Sequence, residues 1–131
     1  MQQARECLED AHKLASVRGS GRSIVNRCYY AMFYAVLALL QTAGQAPRKH
    51  QGAISLFDRG FVHTGLLSKD LSRDLHRLFD ARQDDDYQRL DPVTEPEVQD
   101  ALRAAERFLT SACEYLQQTG KRPFPDTAAP K

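Results

Sequence analysis

Residues 23–43 constrain this chain more than any other segment. Their inner part, residues 28–40 (CYYAMFYAVLALL), carries apolar side chains on every face of a helix, so no single buried face would hide them all. Such a helix needs neighbours on all sides, either other helices or helices together with a subunit partner. The run is well short of the roughly 20 residues that span a bilayer, and it lies too far inside the chain to be a secretion signal. We read it as a buried core helix and expect no membrane association.

The remaining sequence supplies the neighbours. With 131 residues there is room for one domain and one core. Helical periodicity recurs in nearly every segment, and no stretch shows sustained period-two alternation bounded by hairpin turns. A first helix over residues 2–17 places Ala4, Leu8, Ala11 and Ala15 on one face, with Cys7 and Leu14 beside them, and stops at Arg18-Gly19-Ser20-Gly21. No strand precedes that Gly-Ser stretch and no Lys-Ser/Thr follows, so it reads as a helix-helix turn rather than a phosphate loop. A third helix follows Pro47 to about residue 62, and its spacing brings His50, Ile54, Phe57 and Phe61 to one side. Ser68 is a plausible N-cap for a fourth helix with Leu71, Leu75 and Leu78 as its stripe and Phe79 beside it. The fifth opens on Thr94-Glu95-Pro96-Glu97, a capping box, and carries Val98, Leu102, Ala105, Leu109, Ala112 and Leu116 inward to about Gln118. The expected fold is all-α, an antiparallel up-and-down bundle of four long helices plus a shorter one. Residues 1–118 form the bundle, and 119–131, rich in Pro and without periodicity, form a disordered tail.

Charge and cysteine content narrow the function classes. Eighteen Lys+Arg against 17 Asp+Glu give a net charge of +1, too little for a broad basic field over nucleic acid, so any such role rests on a local patch. Cys7, Cys28 and Cys113 are odd in number and widely spaced, which argues against a disulfide framework or a structural zinc and fits a reducing cytoplasm.

One segment breaks the pattern. Extending the fourth stripe past Leu78 reaches Arg82 and then Asp86, so two charges continue a leucine stripe. An unpaired buried charge costs several kcal/mol, by order of magnitude, although an Arg and an Asp four residues apart partly neutralise each other. Asp84, Asp85 and Asp86 also fall near a helix C-terminus, where the macrodipole disfavours anions. A polar site built by Arg82, Asp86 and Tyr87 and a structural Arg-Asp pair closing the bundle are both open readings. Three successive helical residues point about 100° apart and do not converge on one ion, so the triplet is not read as a metal site.

These residues are similar to a known family. Ser-Ile-Val-Asn-Arg-Cys-Tyr-Tyr-Ala-Met-Phe-Tyr-Ala from Ser23, the following Ala38-Leu39-Leu40, His50-Gln51-Gly52 with Phe57 and Phe61-Val62, and Arg82-x3-Asp86-Tyr87 together resemble the HEPN domain proteins. The likeness is greatest to the small stand-alone bacterial and archaeal branch, often encoded beside a minimal nucleotidyltransferase. It implies a homodimer that brings equivalent polar motifs near each other, and no cofactor. Many members are metal-independent endoribonucleases and toxins whose motif is Arg, four to six residues, then His. There the Arg stabilises the scissile phosphate and the His moves a proton at the ribose 2′-hydroxyl. Here the position after four residues from Arg82 is Tyr87, and no His stands in the window. A phenol near its ordinary pKa is a poor base at neutral pH, as is a carboxylate beside an Arg. Arg5 and His12 match Arg-x6-His formally, but the family does not place its motif in the first helix.

Three functions follow as expectations. The first is a dimeric partner of a minimal nucleotidyltransferase in a toxin-antitoxin-like or nucleotide-linked module, with Arg82 and Tyr87 binding phosphate of RNA or a nucleotide. Adenylylation of Tyr87 by the partner belongs to this reading. The second is an active endoribonuclease using Arg82 with Asp86 or His50, and the third a non-catalytic helical scaffold.

Overall fold

The computed structural model describes residues 1–86 and 92–120, the side chains of 83–86 and of 120 excepted. Five helices follow in order: α1 (Gln2–Ser16), α2 (Gly21–Thr42), α3 (His50–Phe57), α4 (Lys69–Asp86) and α5 (Glu95–Gly120). No strand occurs among the described residues, and the fold is an all-α bundle.

The apolar central helix lies where its composition requires. α2 packs against α1, α3, α4 and α5, most extensively against α1 and α5. By length and composition it could cross a membrane, but most of its residues are buried by the other helices, as in the core helix of a soluble protein. Tyr29, Met32, Val36, Leu39 and Leu40 are fully enclosed, joined by Phe57 of α3, Leu75 of α4 and Phe108 of α5. The Phe57 and Phe108 ring centroids lie 5.4 Å apart, an aromatic contact that ties α3 to α5.

The helix ends follow from local chemistry. α1 closes on Gly19, whose N–H donates to Leu14 O at 2.7 Å, and Ser20 caps α2 by accepting from Ser23 N at 3.3 Å. α2 therefore starts at Gly21, earlier than the expected residue 23. Space also selects glycine there, because an added Cβ would stand 3.1 Å from Val93 Cβ, where the chain enters α5. The other end of α2 is a glycine-terminated cap: Gly44 takes φ +74° and Gln45 N donates back to Leu40 O at 3.0 Å. At α5 the capping box is complete: Glu97 N donates to Thr94 Oγ1 at 3.3 Å, while Thr94 N donates to Glu97 Oε1 at 3.0 Å. α5 runs on past the expected end near Gln118, and the tail segment 121–131 lies outside the described residues.

The third helix departs from a uniform α-helix. After Phe57 it widens into a π-helical turn, Asp58–Val62, with His63 N donating to Asp58 O at 2.8 Å. Asp58 also holds α4 through its side chain, accepting from Ser72 Oγ at 2.7 Å and pairing with His76 Nε2 at 2.7 Å. The third and fourth helices are thereby joined just before α4 delivers Arg82. All three cysteines are free thiols, and burial pushes the Cys28 thiol up to about 12.

Candidate functional site

Arg82 and His50 come together on the side of α2 that faces α3 and α4. α2 supplies the floor, because consecutive Tyr29 and Tyr30 point about 100° apart: Tyr29 is fully buried and Tyr30 is half-buried at the edge. Phe33, one turn on, and Phe79 of α4 complete an aromatic group in which the Tyr29 and Tyr30 rings meet edge to face at 5.3 Å. The half-buried Arg82 guanidinium lies over three of these rings, 5.3 Å from the Tyr29 centroid, 5.7 Å from Tyr30 and 5.9 Å from Phe79. Arg82 Nη1 also donates a long hydrogen bond to the Tyr30 hydroxyl at 3.4 Å. The cage answers how a cation can continue a leucine stripe. Leu71, Leu75, Leu78 and Phe79 are buried as the periodicity expected, and the charge that follows them is stabilised by ring faces, each worth about 0.5–2 kcal/mol.

His50 opens α3 and shares the same rings. Its imidazole stacks on Phe33 with centroids 4.0 Å apart and planes inclined by 6°, and its Nδ1 lies 2.7 Å from the Tyr29 hydroxyl. Burial, and then the Arg82 charge, hold the His50 pKa below its ordinary value. Burial likewise pushes the Tyr29 phenol up, against the opposing pull of Arg82. The imidazole is thus neutral near pH 7 and the phenol keeps its proton.

The structure brings Arg82 and His50 into one group. Asp86 is the last residue of α4, with its side chain outside the described residues, and Tyr87 lies outside them altogether. Five contributors were not singled out as site residues in the sequence: Tyr29, Tyr30, Phe33, Phe79 and Arg27, whose guanidinium lies 5.3 Å from the Tyr30 centroid. The signal was present in the adjacent Tyr-Tyr pair, of which only one member can face the centre of a bundle. Asp74 was missed as well. It stands three residues after Leu71 and four before Leu78, on the stripe itself, and is 8% exposed. Arg77 and Arg107 both donate to it, at 3.2 and 2.9 Å, linking α4 to α5.

The chemistry available is that of a guanidinium beside a neutral imidazole on an apolar floor, suited to holding a phosphate oxygen. Among the described residues no three His, Cys, Asp or Glu side chains group in a way that could hold a metal ion. A depression of about 510 Å³ between the start of α4 and α5 is lined by Ser68, Leu71, Arg103, Arg107 and Ser111, and includes neither Arg82 nor His50.

Comparison with known proteins places this geometry in context. Residues 1–116 match the family model described as HEPN domain. A UPF0332 protein of Thermotoga maritima is 44% identical over 119 residues, covering 91% of this chain and 89% of the relative. Two proteins of Methanocaldococcus jannaschii carry toxin names. Putative toxin MJ0605 is 35% identical, covering 74% of this chain and 72% of its own, and Putative toxin MJ0142 is 34% identical, covering 70% and 63%.

Proposed function

The chain belongs to the HEPN domain family, and from that premise we propose that it is the HEPN half of a toxin-antitoxin-like module. In this reading it is a cytoplasmic homodimer paired with a minimal nucleotidyltransferase, and Arg82 binds a phosphate of RNA or of a nucleotide. The observation that carries it is the caged guanidinium: a cation kept at the end of a leucine stripe, over three rings, where a plain bundle would end in an apolar residue. The toxin names of two relatives support the direction. The absence of His at positions 87–89, where the motif counted from Arg82 would place it, favours a binding role over full catalysis. Co-expression with a minimal nucleotidyltransferase encoded beside it is expected to yield one complex on size exclusion, with light scattering of the free protein giving twice the chain mass of 14.8 kDa. Clean separation of the two proteins, or a strict monomer, would count against the module.

A second reading has its own observation. His50 shares the Tyr29 and Tyr30 rings with Arg82, so a neutral imidazole is present despite the missing motif position, and an endoribonuclease using Arg82 and His50 becomes chemically reasonable. Purified protein would then cleave RNA without divalent metal, and Arg82→Ala and His50→Gln would each abolish cleavage. Equal activity in wild type and Arg82→Ala would identify a contaminant.

A further inference from the structure

Tyr29 and His50 make the most enclosed polar contact in the site. Tyr29 is fully buried, and among the described residues its hydroxyl has His50 Nδ1 as its hydrogen-bond partner, at 2.7 Å. Which of the two carries the proton follows from what each would lose. A phenol hydrogen turned elsewhere would find no acceptor among the described residues, and a buried donor left unmade is costly. The phenol resists ionisation there and the imidazole resists protonation. The hydroxyl therefore donates, Nδ1 accepts, and the ring hydrogen of His50 resides on Nε2.

This hydrogen bond has a structural consequence for Arg82. It ties the Nδ1 edge of His50 to the Tyr29 hydroxyl, with the two ring planes inclined by only 19°, while Phe33 stacks on the imidazole face, so the ring has one orientation. The same Tyr29 ring is the nearest wall of the cage around the guanidinium. A change in Tyr29 orientation would move the surface on which Arg82 lies. Resting on the reading of Arg82 as the phosphate-binding group, we infer that Tyr29 and His50 are its positioning residues, the hydrogen bond between them fixing the ring faces that aim the guanidinium.

The test removes one oxygen. Tyr29→Phe keeps the ring, the stack and the cation-π surface but deletes the hydroxyl. In wild type, nitrogen NMR is expected to show His50 in a single tautomer protonated at Nε2, and the Arg82 Nε–H signal displaced by the ring currents of its cage. In Tyr29→Phe the His50 nitrogens average between tautomers and the Arg82 signal moves toward that of a free arginine, with helical circular dichroism unchanged. Binding of a fluorescent oligouridylate weakens about two- to tenfold, the range of one modest hydrogen bond. His50→Gln moves the Arg82 signal in the same direction, and combining it with Tyr29→Phe adds little, because both break one contact. An Arg82 signal unmoved by Tyr29→Phe would overturn the positioning role. Wild type binding oligouridylate no better than Arg82→Ala would overturn the phosphate reading instead, wherever the Arg82 signal lies.

Discussion

His50 illustrates how one residue can be legible in type but not in role. Its spacing from Ile54 and Phe57 marked it as facing inward, and the structure adds that it is stacked on Phe33, bonded to Tyr29 and close to the Arg82 charge. Because its folded pKa lies below the ordinary 6.5, the unfolded chain takes up the proton first as pH falls. The stability contributed by neutral His50 is therefore complete above about 6.5 and is lost as pH falls from there through the lower folded value. The melting temperature of wild type is expected to drop more steeply between about pH 7 and pH 5 than that of His50→Gln. Parallel pH dependences in the two proteins would remove His50 as a group responsible for acid sensitivity.

Elements in this molecule are delimited by capping chemistry that the sequence carries openly. The Thr94 box is the clearest instance: an exposed Thr hydroxyl and the Glu97 carboxylate satisfy donors at the start of α5, and Glu95 and Glu97 place negative charge in its first turn. Thr94→Ala should lower unfolding stability by about 1 kcal/mol in urea denaturation, with Thr94→Ser restoring most of it. A Ser variant as weak as Ala would show that the hydroxyl is not what matters. The π-helical turn was not legible in the same way. Residues 58–62 continue a helical pattern, and what accompanies the widened turn is a tertiary contact, the Asp58 carboxylate held by Ser72 and His76 of α4.

At the scale of the whole molecule, α2 organises the bundle and polar links set how α4 lies against its neighbours. Asp74 joins α4 to α5 through Arg107, while Arg77, on α4 itself, donates to Asp74 and reaches Asp100 of α5 at 2.8 Å. Asp74→Ala is expected to cost about 1–3 kcal/mol, limited because both arginines are half exposed and regain water. Asp74→Asn, which keeps an acceptor, should cost less. A loss below about 0.5 kcal/mol for the alanine variant, within the range of ordinary surface changes, would show that the network does not hold α4 in place. The helical class, the central place of α2, the caps at Ser68 and Thr94, and the inward faces that carry Leu75, His50 and Arg82 could be read from the sequence, because periodicity and capping are properties of a few consecutive residues. Only the tertiary structure decided that Arg82 lies over Tyr29, Tyr30 and Phe79, that His50 meets Tyr29, and that Asp74 is shared by two arginines. Apart from Phe79 and Arg77, which share α4 with Arg82 and Asp74, those partners stand on different helices, and the rotation of one packed helix against another depends on all the side chains between them, which no single window of sequence contains.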